Sequence, residues 1–309
     1  YQYKYQLQLL KMKIYIQNHE SAAGHYIYKG YAHAWIYEGY PVQLINSFDD
    51  INEQEYMLMI TDGFIKNEKH LELINKSKKC FLYVAANNFP DPWGQHPNWK
   101  CQLSNSFIKS LNSMQNVIKW TFCDVNDEIY NLWEKVNTVP LAFDDISYAV
   151  ANPAKKDHKY DVCFVGGIAD NGFNEKLPIM REILDHLVSS GLRCGFSVEQ
   201  NIPHELENET IANSKIAINI HDKYQRELGY DCNERTFKSL GINGFLVSDK
   251  VNQLNRIFPD VPTTNDKEKF LEYCLDFTKK DLFECKASNI ENILVNHTYK
   301  SRVQQLLEI

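Results

Sequence analysis

Short apolar runs alternate with amphipathic helical stretches along nearly the whole chain, and this alternation restricts the fold more than any other feature. Met12–Ile16, Val42–Ile45, Tyr56–Ile60, Cys80–Ala85 and Asn116–Trp120 read as strands, with a further short one at Val139–Ala142. Between them, helices are expected over Tyr26–Glu38, Lys66–Asn75 and Val125–Val136. Strands this apolar need cover on both faces, which a parallel sheet flanked by helices supplies. The stretch Phe143–Lys159 breaks the pattern with Asn152-Pro153 and Lys155-Lys156-Asp157-His158, the composition of a linker. The alternation then restarts: strands at Tyr160–Val165, Arg193–Ser197 and Lys215–Ile220, helices at Glu175–Ser190 and His204–Ala212. Three helices close the chain, at Lys267–Thr278, Asp281–Val295 and His297–Glu308. The expectation is an α/β protein with two parallel-sheet domains, 12–145 and 160–295, joined by a linker at 146–159 and followed by a terminal helix at 296–309. Residues 1–11 (YQYKYQLQLLK) read as an extension, because Met12 resembles a translation start running straight into a strand.

Composition narrows the partners. The chain has 309 residues, 44% of them hydrophobic, enough for two cores. A net charge of -7 with no Lys/Arg block argues against a nucleic-acid backbone as the primary partner. No apolar run reaches the roughly 18 residues of a membrane span, and the polar start lacks a signal-peptide pattern. The eight cysteines form no C-x-x-C pair, which suits buried thiols in a reducing compartment, and a cytoplasmic protein is expected. Sequons begin at Asn75, Asn208 and Asn296 but mean little without secretion. The first strand is not followed by G-x-G-x-x-G, and neither a Walker A motif nor a G-x-S-x-G elbow occurs. The absence of any Asp-x-Asp pair leaves a carboxylate-held metal without an obvious anchor. His19, His25 and His33 lack the spacing of a metal site.

The most informative stretch is Cys232–Asp249, CNERTFKSLGINGFLVSD. Asn233 suits an N-cap, Phe237 and Leu240 share a helical face, and Asn243-Gly244 ends the helix before the strand Gly244–Ser248. A polar loop feeding a helix N-terminus favours an anion, because unmet backbone N–H groups and the helix dipole both attract negative charge. Arg235 in the first turn adds a guanidinium that can fork onto a phosphate. An ordinary helix–strand unit with a solvated arginine fits the same spacing. Two parallel sheets place a ligand in the cleft between domains, at the carboxyl ends of the strands, so Gly166-Gly167, Asn219–Asp222 and Tyr230–Arg235 are expected together.

The second half resembles the CgeB-like group of glycosyltransferases. The pieces that carry the likeness are Tyr160–Gly167 (YDVCFVGG), Ser214–Ile220 (SKIAINI), Asn233–Lys238 (NERTFK), Gly244–Asp249 (GFLVSD) and His297–Arg302 (HTYKSR), in order across 160–303. In the first half only Val139–Asp144 (VPLAFD) is similar. The resemblance implies a GT-B architecture of two Rossmann-like domains. It implies a nucleotide-sugar donor held by the second and an unknown acceptor (glycan, protein or small molecule) held by the first. It also implies no bound metal and a last helix crossing back to the first domain. One position departs from the group: Lys238 stands where a Glu is usual, and lysine only donates hydrogen bonds. Glu234 could take that Glu's part, or Lys238 could meet a phosphate. A basic residue usual after the first Gly pair has Lys176 as its nearest counterpart.

In this reading Arg235, with Asn233, Glu234 and Lys238 around it, meets the donor's diphosphate, joined by Gly166, Gly167 and Lys176. Asn219 and Tyr230 complete the donor side, and Gly195, Phe196 and Ser197 contact the nucleobase. On the acceptor side, Gly24 and Trp93 shape the site, with Trp99 nearby. The base is His25, in the loop after the first strand, whose side-chain type titrates near neutrality, or Asp91. A nucleotide-sugar-binding protein without catalysis, or an epimerase or phosphorylase of the same architecture, fits the same residues.

Overall fold

A computed structural model describes residues 12–19, 21–95, 100–168, 176–199 and 202–309. It divides into two compact units, Tyr1–Val139 with Arg302–Ile309, and Pro140–Ser301. The extension at 1–11 and Trp99 lie outside the described residues.

In chain order the first unit contains β1 (Lys13–Gln17), α1 (Ala22–Tyr37), β2 (Val42–Ile45), β3 (Tyr56–Thr61), α2 (Glu68–Lys76), β4 (Lys79–Tyr83), α3 (Asn105–Ser113), β5 (Val117–Thr121) and β6 (Asn137–Thr138). All its strands are parallel, in the order β2-β1-β3-β4-β5-β6. Every residue of β3 is buried, as expected of a strand covered on both faces. Trp35 from α1 packs its ring 5.2 Å from Phe81 on β4. Helix α3 has no counterpart in the sequence pattern, and two expected elements are replaced. The helix expected at Val125–Val136 is a chain of turns, in which the Asn126 side chain accepts from the Glu128 N–H and competes with a helical ladder. The strand expected at Val139–Ala142 is formed two residues earlier, by Asn137–Thr138 pairing with Trp120–Thr121.

The second unit runs β7 (Tyr160–Gly166), α4 (Lys176–Ser189), β8 (Cys194–Val198), α5 (His204–Ala212), β9 (Ser214–Asn219), α6 (Lys223–Leu228), α7 (Glu234–Asn243), β10 (Leu246–Ser248), α8 (Asn252–Ile257), α9 (Lys267–Lys279) and α10 (Phe283–Asn296). Its sheet is also parallel, in the order β10-β9-β7-β8. Val162, Phe164, Ile216, Ile218 and Val247 form the core with Met180, Ile183 and Leu187 from one face of α4. Helix α7 is buried from Thr236 to Asn243 and ends at Gly244, whose φ of 83° is the left-handed cap that glycine permits. The last helix, α11 (Tyr299–Glu308), begins in this unit, while Arg302 onward belongs to the first. There Val303 and Leu306 are fully buried, and Gln305 donates to the Thr138 carbonyl at 3.2 Å. Among the described residues no helix is long and apolar enough to cross a membrane.

The strand order fixes where a ligand can sit. From β7 the chain moves to β8 on one side and then back to β9 on the other. The connections therefore diverge between β7 and β9, leaving a crevice at their carboxyl ends.

Candidate functional site

The crevice between β7 and β9 is occupied by Arg235. Asn233 caps α7 by accepting from the Thr236 N–H at 3.3 Å, which places Arg235 in the first turn. Its guanidinium lies over the Phe164 ring at 4.6 Å, donates through Nε to the Val165 carbonyl at 2.7 Å, and through Nη1 to Asn219 Oδ1 at 3.3 Å. Gly166 is what admits it: a β-carbon there would lie 2.0 Å from Arg235 Nη2. Gly167, one residue on, is exposed, with open space where a side chain would be. Burial lowers the Arg235 pKa from its ordinary value, opposed by the charges of Glu234, Asp222, Glu207 and Asp249.

A second cation stands in the same rim. Lys176 on α4 is buried and pairs with Asp222 Oδ1 at 2.9 Å. Burial and then the charge of Arg235 pull its pKa down, while Asp222 pulls it up. A buried ammonium and a guanidinium that repel one another mark a place where negative charge is welcome.

Beneath these groups lies a polar network. Asn219 at the end of β9 and Asn233 form a reciprocal amide pair, with Asn219 Nδ2 donating to Asn233 Oδ1 at 2.8 Å and Asn233 Nδ2 donating to Asn219 Oδ1 at 3.2 Å. Asn219 Nδ2 also donates to Thr236 Oγ1 at 2.9 Å. Deeper still, fully buried His221 and Asp249 join through Nδ1 and Oδ1 at 2.6 Å. Burial alone would raise the Asp249 pKa, but His221 and Arg226 hold it below the ordinary carboxylate value. His221 falls inside the segment singled out from sequence, yet no role was expected of it; the signal available was a polar pair, His221-Asp222, directly after an apolar strand, with Asp249 after the next.

Lys238 meets carboxylates: its Nζ lies 2.9 Å from Glu207 and 3.0 Å from Glu234, over the Tyr148 ring. Glu234 is thereby held beside Arg235. Tyr230 is half-buried in the loop before α7. Of the three nucleobase candidates, Gly195 lies mid-strand opposite Cys163, three register positions below the Gly166–Val198 pair, and the Tyr160 ring occupies the space of its missing side chain. Phe196 and Ser197 follow it toward the rim, opposite Phe164 and Val165.

On the first unit, the loop expected to run through His25 is shorter than the sequence suggests. Ser21 caps α1 by accepting from the Gly24 N–H at 3.1 Å, so Gly24 and exposed His25 are helical. A β-carbon on Gly24 would meet the His19 ring at 2.2 Å. Asp91 is exposed in the loop after β4, and the neighbouring Trp93 is buried, its ring excluded from solvent rather than displayed to a sugar. A separate concavity of about 820 Å³ opens between α2 and α3, lined in part by Leu71, Asn75, Phe107 and Asn116, and holds none of these residues.

Residues 167–308 match the family model described as glycosyl transferase-like. Solved structures share the fold. An alpha-glucosyltransferase in complex with UDP and a 13-mer DNA containing a HMU base aligns at TM-score 0.58 and 10% identity, covering 96% of this chain and 99% of that one. A glycosyltransferase involved in avilamycin A biosynthesis aligns at TM-score 0.55 and 8% identity, covering 96% of each. The α,α-trehalose 6-phosphate synthase of Burkholderia multivorans aligns at 0.54 and 8% identity, covering 83% of this chain and 70% of that one. No curated protein matched the chain by sequence. Both α/β units and their sheets are thus those of the GT-B fold.

Proposed function

We propose that this glycosyltransferase, a GT-B chain whose second half is glycosyl transferase-like, moves a sugar from a nucleotide-sugar donor to an acceptor hydroxyl without a bound metal. The observation that carries the reading is the seating of Arg235 over Gly166, beside buried Lys176, at the carboxyl ends of β7 and β9. Breaking the bond between the anomeric carbon and the donor phosphate leaves negative charge on a departing diphosphate. Groups already in place to meet that charge lower the barrier because they need no reorganisation during the step. Arg235, Lys176 and the α7 N-terminus are such groups. Glu234, steadied by Lys238, offers a carboxylate that accepts from donor hydroxyls. The UDP bound in the structurally similar alpha-glucosyltransferase supports a nucleotide donor here.

Within the same reading the chain is CgeB-like, on the motifs around Gly166, Asn219 and Arg235. Its acceptor base is His25 or Asp91, both exposed on the first unit, and replacing each in turn identifies which one turnover requires. Eight cysteines that form no disulfide fit a reducing, cytoplasmic setting.

The test is a thermal-shift screen with UDP, GDP and their sugar conjugates, followed by transfer assays with and without a chelator. A ligand that binds only the native state raises the melting temperature by mass action. The reading expects one nucleotide class to stabilise the protein and chelation to leave turnover unchanged. No shift with any nucleotide sugar overturns it.

A further inference from the structure

We propose that His221 is a positioning residue for the donor site: with its proton on Nδ1, it fixes the Asn219 amide so that Oδ1 faces Arg235. This rests on the reading of the β7–β9 rim as the diphosphate site.

The hydrogen bonds leave one arrangement. The Thr236 backbone N–H can only donate, so the Asn233 atom that receives it is Oδ1. Asn233 Nδ2 then points at Asn219, which must present Oδ1 to it and Nδ2 to Asn233 Oδ1. That Oδ1 also accepts from Arg235 Nη1. The other end of the Asn219 amide, Nδ2, lies 3.3 Å from His221 Nε2, and the Thr236 hydroxyl lies 3.4 Å from the same nitrogen. Asn219 Nδ2 can only donate and the Thr236 hydroxyl can donate as well as accept, whereas the ionised Asp249 can only accept; Nε2 therefore accepts and the imidazole proton belongs on Nδ1, 2.6 Å from Asp249 Oδ1. Asp249 is suited to hold it there, being fully buried and kept ionised by His221 and Arg226. Its other oxygen, Oδ2, accepts from the His221 backbone N–H at 2.8 Å and lies 3.5 Å from Arg226 Nε.

That second oxygen makes the proposal testable by one atom's change. In Asp249→Asn the amide oxygen must stay where Oδ2 was, because the His221 N–H and Arg226 both donate there. The new NH₂ then faces Nδ1 and forces the imidazole proton onto Nε2, against Asn219 Nδ2. The amide pair must tilt or turn, and Arg235 loses its acceptor.

The experiment combines ¹⁵N NMR of the imidazole nitrogens with calorimetric titration of UDP and of GDP, on the wild type, Asp249→Asn, Asn219→Asp and the double variant. The proposal expects a proton on Nδ1 in the wild type and on Nε2 in Asp249→Asn, where binding weakens about tenfold, the worth of one charged hydrogen bond. It expects Asn219→Asp to weaken binding alone but strengthen it in the Asp249→Asn background, where its carboxylate accepts from both Nε2–H and Arg235. A wild-type proton on Nε2 overturns the proposal without any variant. So does an Asn219→Asp effect of the same sign and size in both backgrounds, which is what merely structural roles would give. If neither nucleotide binds the wild type, the diphosphate reading fails separately, and the NMR result still decides the tautomer.

Discussion

The two units share a topology and differ in what fills its crevice. In the first, the chain moves from β1 to β2 on one side and then to β3 on the other, so its connections diverge between β1 and β3. There the neutral Gln17 side chain closes the gap by accepting from the Thr61 N–H and hydroxyl at 2.9 and 3.0 Å. The next residue, Asp62, is a buried carboxyl that accepts from the Ala85 N–H at 3.0 Å. In the second unit the equivalent gap holds Arg235, with Lys176 beside it. The same backbone solution therefore carries a neutral plug in one unit and two cations in the other. The fold supplies a place for a ligand but not its charge, which a few side chains set.

The two crevices differ most at Arg235. Arg235→Ala removes the guanidinium and its charged hydrogen bonds, each worth about 1.5–3 kcal/mol, so diphosphate affinity should fall by roughly 10- to 100-fold or more. Arg235→Lys should recover little, because an ammonium cannot reproduce the fork that reaches Val165 and Asn219 together. Calorimetric titration of UDP and GDP, with circular dichroism as the check on folding, measures both. Affinity unchanged in Arg235→Ala would make the two crevices equivalent and end the assignment.

Gly166 comes next. Gly166→Ala places a methyl carbon 2.0 Å from Arg235 Nη2, so the guanidinium must leave its seat. Affinity should drop about tenfold through loss of the hydrogen bond to Asn219. Gly167→Ala meets no atom within 4 Å and should leave the melting temperature of the ligand-free protein unchanged. Equal melting temperatures for both variants would contradict the close approach at Gly166.

Much of this comparison was legible in the sequence, and its blind spots have physical causes. The apolar alternation sufficed for two parallel sheets, and Asn233, Arg235 and Gly244 announced the α7 cap, cation and stop. Some expectations failed at local side-chain caps and others where tertiary contacts decide. Asn126 diverts Val125–Val136 into turns, and Ser21 starts α1 before Gly24 by accepting from the Gly24 N–H. Lys238 illustrates the limit at the site: the family resemblance left a phosphate as one of its alternatives, but its partner Glu207 comes from α5, which no local reading of α7 could supply. Gly195 likewise looked like a strand end until the register placed it opposite Cys163, with the Tyr160 ring over it.

Lys176 trades stability for charge in the crevice of the second unit. Its pKa is lowered in the folded chain, so between that value and the ordinary lysine range the unfolded chain binds more protons. Stability contributed at this site therefore rises with pH across that window, and at neutral pH the buried charge is a net cost. Lys176→Met combined with Asp222→Asn, which removes both charges of the pair and keeps the α6 N-cap, should leave the melting temperature of the ligand-free protein unchanged or raise it while weakening UDP or GDP binding several-fold. Stability and affinity falling together would mean that Lys176 serves the core rather than the crevice.

The smallest effect belongs to the crevice of the first unit. Burial raises the Asp62 pKa above the ordinary carboxylate value, although hydrogen bonds from Ala85, Cys101 and Gly63 and the charge of Lys66 oppose it. In the window between the ordinary and the raised value the folded chain binds more protons than the unfolded one. Stability should accordingly fall as pH rises through that window, the reverse of the slope at Lys176. Asp62→Asn removes the titration and should flatten the slope, read from denaturant unfolding followed stepwise from mildly acidic to neutral pH. Because Asp62 sits on the unit without the cations, the same substitution should leave UDP or GDP affinity within about twofold, well under one hydrogen bond's worth. A large affinity loss in Asp62→Asn would mean that the crevice plugged by Gln17 also answers to the donor, and the division of labour between the two sheets would have to be redrawn.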